Sequence, residues 1–254
     1  MKRRKPELSI IIPFMDEEKR LPKSLSKVMR YIDAHLPNTE VILVDDGSVD
    51  RTVEKIEKYL ERKNVKLVTH AHNMGKGAAV RSGVLKAKGK YILFTDADLS
   101  TPIRDAKKLL KYQKECKCDV AIGSRGLPQS TITTPQPLRR VLIGRGGNII
   151  IRFFMGLPLK DTQCGFKLFT YKAAKKLFAV QYFERWSFDI EVLYKAKKYG
   201  YHVCEVPVEW GDVGDSKVRA VRDSLRVFFD VLKIRRTYDK YDPAAKLNHQ
   251  GTSS

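Results

Sequence analysis

The stretch that decides the fold is YILFTDADLSTP, residues 91–102, where an apolar run leads into Asp96, Ala97 and Asp98. Side chains at positions i and i+2 of a strand point to the same side, so both carboxylates would face one spot. Two neighbouring negative charges are costly away from water unless a cation lies between them. The stretch predicts a buried strand whose end faces a structural arginine, a metal ion or no cation at all.

Short apolar runs of this kind recur along the chain and alternate with longer helical patterns. They predict strands at 8–13, 41–46, 65–70, 91–96 and 119–124, and helices at about 18–35, 51–62, 76–88 and 104–115. Nearly continuous hydrophobicity is typical of strands covered on both faces. The alternation predicts a doubly wound α/β fold with a mostly parallel sheet.

The second half of the chain is less regular. Before the motif DTQCGFK (161–167), the sequence predicts a mobile loop at 126–137 and a basic, apolar helical stretch at about 138–156. After the motif it predicts a helix near 187–199, a strand at 203–210 and a final helix near 216–235. We expect one domain over 1–236 and a polar, disordered tail over 237–254.

The composition is strongly basic, with 49 Lys+Arg against 29 Asp+Glu and a formal net charge of +20. This surplus favours an anionic partner such as nucleic acid, an anionic membrane surface or a phosphorylated substrate. The basic residues form no recognisable RNA-binding module, so nucleic acid is disfavoured. No apolar run approaches the ~20 residues of a spanning helix, and the N-terminus lacks a signal-peptide core. We expect a protein that is soluble or lies on a membrane without crossing it.

The four cysteines, Cys116, Cys118, Cys164 and Cys204, are scattered and form no paired CxxC motif. Cys116 and Cys118 are too close for an ordinary disulfide, so we expect reduced thiols in a cytoplasmic protein. No histidine is obviously paired with Cys164, which favours a packing role over a nucleophile.

Polar residues follow four predicted strands at the point where each strand ends. They are Asp16 and Glu17, Asp45 and Asp46, Asp96 and Asp98, and Ser124 and Arg125. Because ligands bind beyond the carboxyl ends of the strands in such sheets, these ends predict an active-site crevice. Mg²⁺ or Mn²⁺ held by Asp96 and Asp98 would neutralise a nucleotide diphosphate and stabilise it as a leaving group.

Two further segments are open to more than one interpretation. In VDDGSVDRT (44–52), Ser48 or Asp50 would cap a helix, while Asp45 and Asp46 would bind a nucleotide. HNMGKGAAVRSG (72–83) lacks Walker spacing, so its glycines indicate a tight turn and close helix packing rather than a phosphate loop.

Seven segments together resemble glycosyltransferase family 2, in consistent order over about residues 7–220. They are IIPFMDEE, VDDGSVDRT, HNMGKGAAVRSG, FTDADLS, GSR, KDTQCGFKLF and ERWSFDIE. The chain is most similar to the subgroup of dolichyl-phosphate glucosyltransferases and related enzymes that make polyprenyl-phosphate sugars. The resemblance implies a GT-A type fold and a nucleotide-sugar donor.

The resemblance places the donor on residues from several segments: Pro13, Glu17, Asp45, Asp46, Asp96, Ala97, Asp98, Arg125, Gln163 and Lys217. Asp45 matches the base-reading aspartate, and Asp98 matches the direct metal ligand. Arg125 and Lys217 match cations beside the phosphates.

Arg140 resembles an arginine that binds the acceptor phosphate. Asp161 and Asp189 are open to a polar-turn and a helix-cap interpretation, but the resemblance implies that both lie beside the sugar and acceptor and are catalytic, with Arg125. The expected reaction is a metal-dependent, inverting transfer of a hexose, most simply glucose from UDP-glucose, to dolichyl or another polyprenyl phosphate. Alternatives are a soluble polysaccharide or protein acceptor, or GDP-mannose as donor.

Two helical stretches also predict a peripheral position on the cytoplasmic face of a membrane. In 218–232 and in 138–156, apolar residues at helical spacing lie beside arginines and lysines. This pattern suits a helix in the headgroup region, although such stripes usually pack on a sheet.

Overall fold

The computed structural model describes residues 5–214 and 220–240, which are built around a seven-stranded sheet. The strands are β1 Leu8–Phe14, β2 Thr39–Asp45, β3 Val65–Thr69, β4 Tyr91–Thr95, β5 Val120–Ser124, β6 Thr131–Thr134, β7 Phe166–Thr170, β8 Val203–Pro207 and β9 Glu209–Gly211. The helices are α1 Leu21–His35, α2 Thr52–Leu60, α3 Lys76–Lys86, α4 Ala106–Glu115, α5 Leu138–Met155, α6 Tyr171–Ala179, α7 Phe188–Lys198 and α8 Ala220–Asp239.

The strand order of the large sheet is β3-β2-β1-β4-β7-β5-β8. Neighbouring strands are parallel except that β7 runs antiparallel to both β4 and β5. The prediction of a doubly wound, mostly parallel α/β sheet is therefore confirmed. The carboxyl ends of β1, β2, β4 and β5 lie at one edge of the sheet, as the predicted crevice requires.

Both faces of the sheet are covered by helices, because alternate strand residues are apolar on each side. On one face Ile11 and Ile42 pack in a core with α3, α6 and α7. On the other face Ile10 and Leu43 pack in a core with α1 and α4. Every residue of β1 and β2 is buried, which explains their nearly continuous hydrophobicity.

Three parts of the second half differ from the sequence-based expectation. β7 and α6 were not expected, and β6 of the predicted loop pairs with β9 in a separate two-stranded sheet. The predicted strand 203–210 is interrupted at Val208, which separates β8 from β9. The final helix continues to Asp239, past the predicted domain end at 236, because Tyr238 is buried and its hydroxyl hydrogen-bonds Glu191. Residues 241–254 of the predicted tail lie outside the described residues.

The prediction of reduced thiols is wrong for two of the four cysteines. Cys118, which precedes β5, is joined to Cys204 of the neighbouring β8 by a disulfide. The pairing is possible because the parallel register of β5 and β8 brings these distant positions together. Cys116 and Cys164 are free thiols.

Each helix within residues 5–214 and 220–240 is too short or too polar to cross a membrane.

Candidate active site

The acidic end of β4 faces a cation that the sequence did not indicate. Lys76 Nζ lies 2.5 Å from Asp96 Oδ1, and Asp98 lies close enough to add to the electrostatic field at the same ammonium. Burial alone would lower the pKa of Lys76, but Asp96, Asp189 and Asp98 together raise it above its ordinary value. The cation beside the carboxylates at the end of β4 is therefore Lys76.

A second acidic residue fixes the position of Lys76. The Asp46 carboxylate accepts hydrogen bonds from the backbone N–H groups of Met74 at 3.0 Å and Gly75 at 2.8 Å, and it contacts His70 Nδ1 at 2.8 Å. Gly75 has a φ of +109°, and a side chain there would meet the Glu184 carbonyl oxygen at 2.5 Å. The predicted tight turn at the glycines is thus confirmed, and its next residue is Lys76.

Asp46 is saturated by these internal contacts and is buried. Its carboxylate is turned to the 70–75 loop. Its neighbour Asp45 is also buried, and its Oδ1 accepts a hydrogen bond from Ser48 N at 2.9 Å. Of the two predicted cap residues, Asp50 accepts from Thr52 N, the first residue of α2, whereas Ser48 accepts from Asp16 N.

Arg125 and Asp161 form a bidentate pair beyond the end of β5. Arg125 Nε donates to Asp161 Oδ2 at 2.6 Å and its Nη2 donates to Oδ1 at 2.9 Å, while its backbone N–H also donates to Oδ2. The N–H of Gln163 donates to Oδ1 as well. Both carboxylate oxygens of Asp161 are therefore occupied, and three of these hydrogen bonds hold Arg125 in place.

The surroundings of Arg125 and Asp161 stabilise the charged form of each. Although burial opposes it, Arg125 lowers the pKa of Asp161 through its charge and hydrogen bonds. The Arg125 guanidinium also lies over the Trp210 ring of β9, 5.3 Å from the ring centroid. Asp96 contributes to the field at Arg125, so this pair belongs to the same site as the end of β4.

A second buried pair joins β7 to the first turn of α7. Lys167 Nζ donates to Asp189 Oδ1 at 2.5 Å and to the Cys164 carbonyl oxygen at 2.6 Å. Lys167 is 1% exposed and Asp189 is 5% exposed. Burial raises the pKa of Asp189 despite the opposing charges of Lys167 and Lys76. The sequence did not single out Lys167, although it lies within the DTQCGFK motif.

The DTQCGFK motif also contains Gly165, which packs against the carboxylate of Asp96. A Cβ on Gly165 would lie 2.1 Å from Asp96 Oδ2, so only glycine lets the motif pack against this carboxylate. Burial raises the pKa of the Cys164 thiol to about 11, which leaves it protonated at neutral pH and supports the packing role expected from the sequence.

The remaining predicted residues lie at the edges of this site or outside the described residues. Pro13 is buried in β1, and the carboxylate of Glu17, just beyond that strand, is bound by Arg20 at 2.6 and 2.7 Å. Arg140 lies in the first turn of α5, and its side chain is outside the described structure. Lys217 also lies outside the described residues.

Asp96 and Asp98 fit a divalent metal ion as a pair. Within the described ranges, no group of three or more His, Cys, Asp or Glu side chains is arranged to hold a metal. Mg²⁺ and Mn²⁺ are commonly bound by one or two carboxylates together with substrate phosphates. Asp96 Oδ1 is buried and lies 2.5 Å from the ammonium of Lys76, so a metal ion here would meet a carboxylate that is already paired. Burial and the charge of Asp96 raise the pKa of Asp98.

A model of the family described as Glycosyl transferase family 2 matches residues 9–178. The chain belongs to this family and is a glycosyltransferase, as the sequence resemblance predicted.

Among its curated relatives are dolichyl-phosphate β-glucosyltransferases from distant organisms. One from Trichomonas vaginalis is 39% identical over 249 residues, which cover 92% of this chain and 75% of the relative. The Homo sapiens protein is 34% identical over 245 residues, covering 91% and 76%. The Saccharomyces cerevisiae protein is 33% identical over 252 residues, covering 91% and 75%.

Solved structures share the fold at low identity. Glucosyl-3-phosphoglycerate synthase from Mycobacterium tuberculosis, in complex with Mn²⁺, UDP-glucose and phosphoglyceric acid, has a TM-score of 0.67 at 15% identity, over 90% of this chain and 78% of that one. S. aureus TarS residues 1–349 give a TM-score of 0.58 at 18% identity, over 91% and 72%. The predicted GT-A type fold is therefore confirmed.

Proposed function

We propose that this glycosyltransferase transfers glucose from UDP-glucose to dolichyl phosphate, with inversion at the anomeric carbon. The observation that carries the proposal is the charge cluster at the end of β4. There the charges of Asp96, Asp98 and Asp189 act on Lys76, and Asp189 is paired with Lys167. Asp96 also acts on Arg125 of the Arg125–Asp161 pair. The names of the relatives supply the sugar and acceptor, and the ligands of the M. tuberculosis neighbour support a UDP-sugar and Mn²⁺.

The leaving group in this reaction is a nucleoside diphosphate, whose negative charge grows as the glycosidic bond breaks. Asp96 and Asp98 would hold Mg²⁺ or Mn²⁺, which when bound supplies Lewis-acid stabilisation of that charge. Arg125 adds a guanidinium that Asp161 and Trp210 hold in a fixed orientation. A cation held in a fixed orientation stabilises the developing charge without reorganising during the reaction. Such preorganised electrostatic stabilisation is usually the largest contribution to the rate enhancement.

The acceptor needs no proton removed in this mechanism. A phosphate monoester has a second pKa of about 6 and is mostly dianionic at neutral pH, so its oxygen attacks directly. Asp189, fixed by Lys167, therefore orients the sugar or the acceptor rather than acting as a general base. Asp45, at the end of β2, is the residue that would accept the single N–H of uracil.

A substrate screen tests this proposal. Purified protein with Mn²⁺ is offered UDP-glucose or GDP-mannose, each with dolichyl phosphate or with a soluble phosphorylated sugar, and release of the nucleoside diphosphate is followed. We expect turnover with UDP-glucose and dolichyl phosphate at least 100-fold above the other combinations. Equal turnover with the soluble acceptor, or preference for GDP-mannose, would contradict the proposal.

The exposed faces of α5 and α8 support a membrane surface as the partner that presents this acceptor. Phe153 of α5 is 81% exposed and Phe229 of α8 is 59% exposed. The two helices are joined where the Phe154 and Phe228 rings meet edge to face. In α8 a different set of positions packs inward, namely Val231, Ile234 and Tyr238. The apolar stripe predicted from the sequence is thus not fully used by packing.

Exposed basic residues lie on the same two helices as these phenylalanines. They are Arg152, Lys233 and Arg236. Each cation near an anionic surface contributes on the order of 1 kcal/mol, and exposed aromatic side chains add apolar burial in the headgroup region. This charge complementarity favours an anionic bilayer, on its cytoplasmic side, as the surface that α5 and α8 contact.

Sedimentation with anionic vesicles tests the membrane surface separately from catalysis. We expect the wild type to pellet at low salt and the Phe153→Glu, Phe229→Glu double variant to lose most of that binding. Leu85→Glu, which changes an exposed leucine on α3, is the matched control and should still pellet. If the wild type stays in the supernatant, or the control loses binding equally, α5 and α8 are not the membrane surface.

A further inference from the structure

The ammonium group of Lys76 occupies a position that a divalent metal ion would also seek. It lies 2.5 Å from Asp96 Oδ1, which is a buried oxygen. Asp98 and Asp189 are the other carboxylates whose charges act on this ammonium. Two cations cannot share Asp96 Oδ1 without strong mutual repulsion.

The fold fixes the backbone on both sides of Lys76. Asp46 binds the N–H groups of Met74 and Gly75, which fixes the backbone immediately before Lys76. Gly77 follows it, and a side chain there would lie 2.7 Å from the Cβ of Phe188. The turn is therefore pinned on both sides of the lysine.

The ammonium of Lys76 has an aromatic neighbour in addition to Asp96. The Trp186 ring lies 5.6 Å from Nζ, within the range of a cation–π contact. The side chain is 20% exposed, so it retains some freedom on the crevice side.

We propose that Lys76 is a built-in competitor for the metal at Asp96, so that the divalent ion binds tightly only together with the nucleotide diphosphate. This inference rests on the proposed function, because it assumes the Asp96–Asp98 metal site. Without nucleotide, Lys76 neutralises one of the two carboxylates and leaves little net charge for a divalent ion. The diphosphate brings new negative charge, which accommodates the ammonium and the metal at once.

Mn²⁺ titrations of the full chain, followed by the electron paramagnetic resonance signal of free Mn²⁺, test the inference without measuring activity. We expect the wild type to bind Mn²⁺ weakly alone and at least 10-fold more tightly with UDP. Lys76→Met should bind Mn²⁺ alone at least 10-fold more tightly than the wild type, with a smaller additional gain from UDP. The matched control is Lys114→Met, which removes a lysine paired with Glu7 beside the start of β1, at the opposite edge of the sheet.

The outcomes separate this inference from the proposed function. If the wild type binds Mn²⁺ with UDP but Lys76→Met is within 2-fold of it without UDP, the competition is refuted and the metal site stands. If the wild type takes up no Mn²⁺ even with UDP, the metal site and the competition both fall. Should Lys76→Met not fold, Lys76→Gln removes the same charge with a polar side chain. Its thermal unfolding should then respond more strongly to Mn²⁺ alone than that of the wild type, and an equal response refutes the competition.

Discussion

Two acidic pairs, at the ends of β2 and β4, are similar in sequence but differ in what they contact. Asp45 and Asp46 are adjacent in sequence, and Asp46 is saturated by the backbone of the 70–75 loop. Asp96 and Asp98 are separated by one residue, and the Asp96 carboxylate is paired with the ammonium of Lys76. The first pair has a member committed to the fold, whereas the second carries two negative charges beside one lysine.

The surroundings of each pair explain the difference, since only Asp45 lies within its strand and Asp46, Asp96 and Asp98 follow the strand ends. The 70–75 loop supplies the N–H groups that bind Asp46. At the end of β4 the charges of Asp96 and Asp98 both act on Lys76, which offsets part of them. The lesson is that charge concentration at a strand end, rather than the number of carboxylates, marks the site.

The largest expected effect comes from changing the β4 pair. Asp98→Asn should lower glucosyl transfer about 1,000-fold, which corresponds to about 4 kcal/mol of transition-state stabilisation. The melting temperature should not fall, because the substitution removes a charge whose protonation is already favoured by burial and by Asp96. Transfer assays and thermal unfolding of the same preparation measure both. Near-normal transfer by folded Asp98→Asn would end the distinction between the pairs.

Lys195 is a buried lysine, and it differs from Lys76 because, among the described residues, its ammonium is bound by carbonyl oxygens and not by a carboxylate. Lys195 is 1% exposed and its Nζ donates to the Leu177 and Val180 carbonyl oxygens. Burial lowers its pKa to about 8, although Glu191 opposes the shift. Between pH 8 and the ordinary value of 10.5, the unfolded chain binds more protons at this site than the folded chain.

Stability from Lys195 should therefore rise with pH across this window, by about 3 kcal/mol relative to Lys195→Met. Urea unfolding of both proteins at pH 7.5 and pH 10 measures the difference. A constant difference at the two pH values would show that burial does not perturb this lysine.

Substitution of Asp46, at the end of β2, should lower the free energy of unfolding more than it lowers the rate of transfer. Asp46→Asn replaces an acceptor of two backbone N–H groups with an amide that can satisfy only part of them, and it should cost about 2 kcal/mol of unfolding free energy. Transfer by the fraction that remains folded should fall less than 10-fold. A loss of activity as large as that of Asp98→Asn, without a loss of stability, would be inconsistent with a structural role.

Within the β2 pair, Asp45 should give the smallest effect. Asp45→Ala should weaken UDP binding about 10-fold, or about 1.4 kcal/mol, because one hydrogen bond to the base is lost. Calorimetry with UDP and GDP on the wild type and the variant measures this. Unchanged UDP affinity, or tighter binding of GDP by the wild type, would remove the base-reading role.

The sequence was most informative where local pattern determines structure. β1, β2, β4 and β5 follow from apolar runs that are buried along their whole length. These strands, β3 and helices α1 to α4 begin and end within a few residues of the predictions. β7 was missed because Lys167 interrupts its short apolar run, and β6 was missed because TITT is exposed and polar. Strand pairing over such distances leaves no local signal.

The ion pairs of the site could not be predicted for the same reason. Lys76 reaches Asp96 only once α3 has packed on β1 and β2, and Lys167 reaches Asp189 only once α7 lies beside β7. The partner of each charge therefore depends on tertiary structure. A usable signal was nevertheless present: Lys76 lies between Gly75 and Gly77, and such a lysine is placed where the backbone approaches other groups closely.

The most direct test of the different roles of the two pairs is an anomalous difference map from crystals grown with UDP and Mn²⁺. The account predicts one Mn²⁺ in contact with Asp98, beside Asp96 and the diphosphate, with the uracil N–H directed to Asp45 and with Asp46 still bound to the 70–75 loop. A Mn²⁺ held by Asp45 and Asp46, with the β4 pair free of metal and diphosphate, would contradict it.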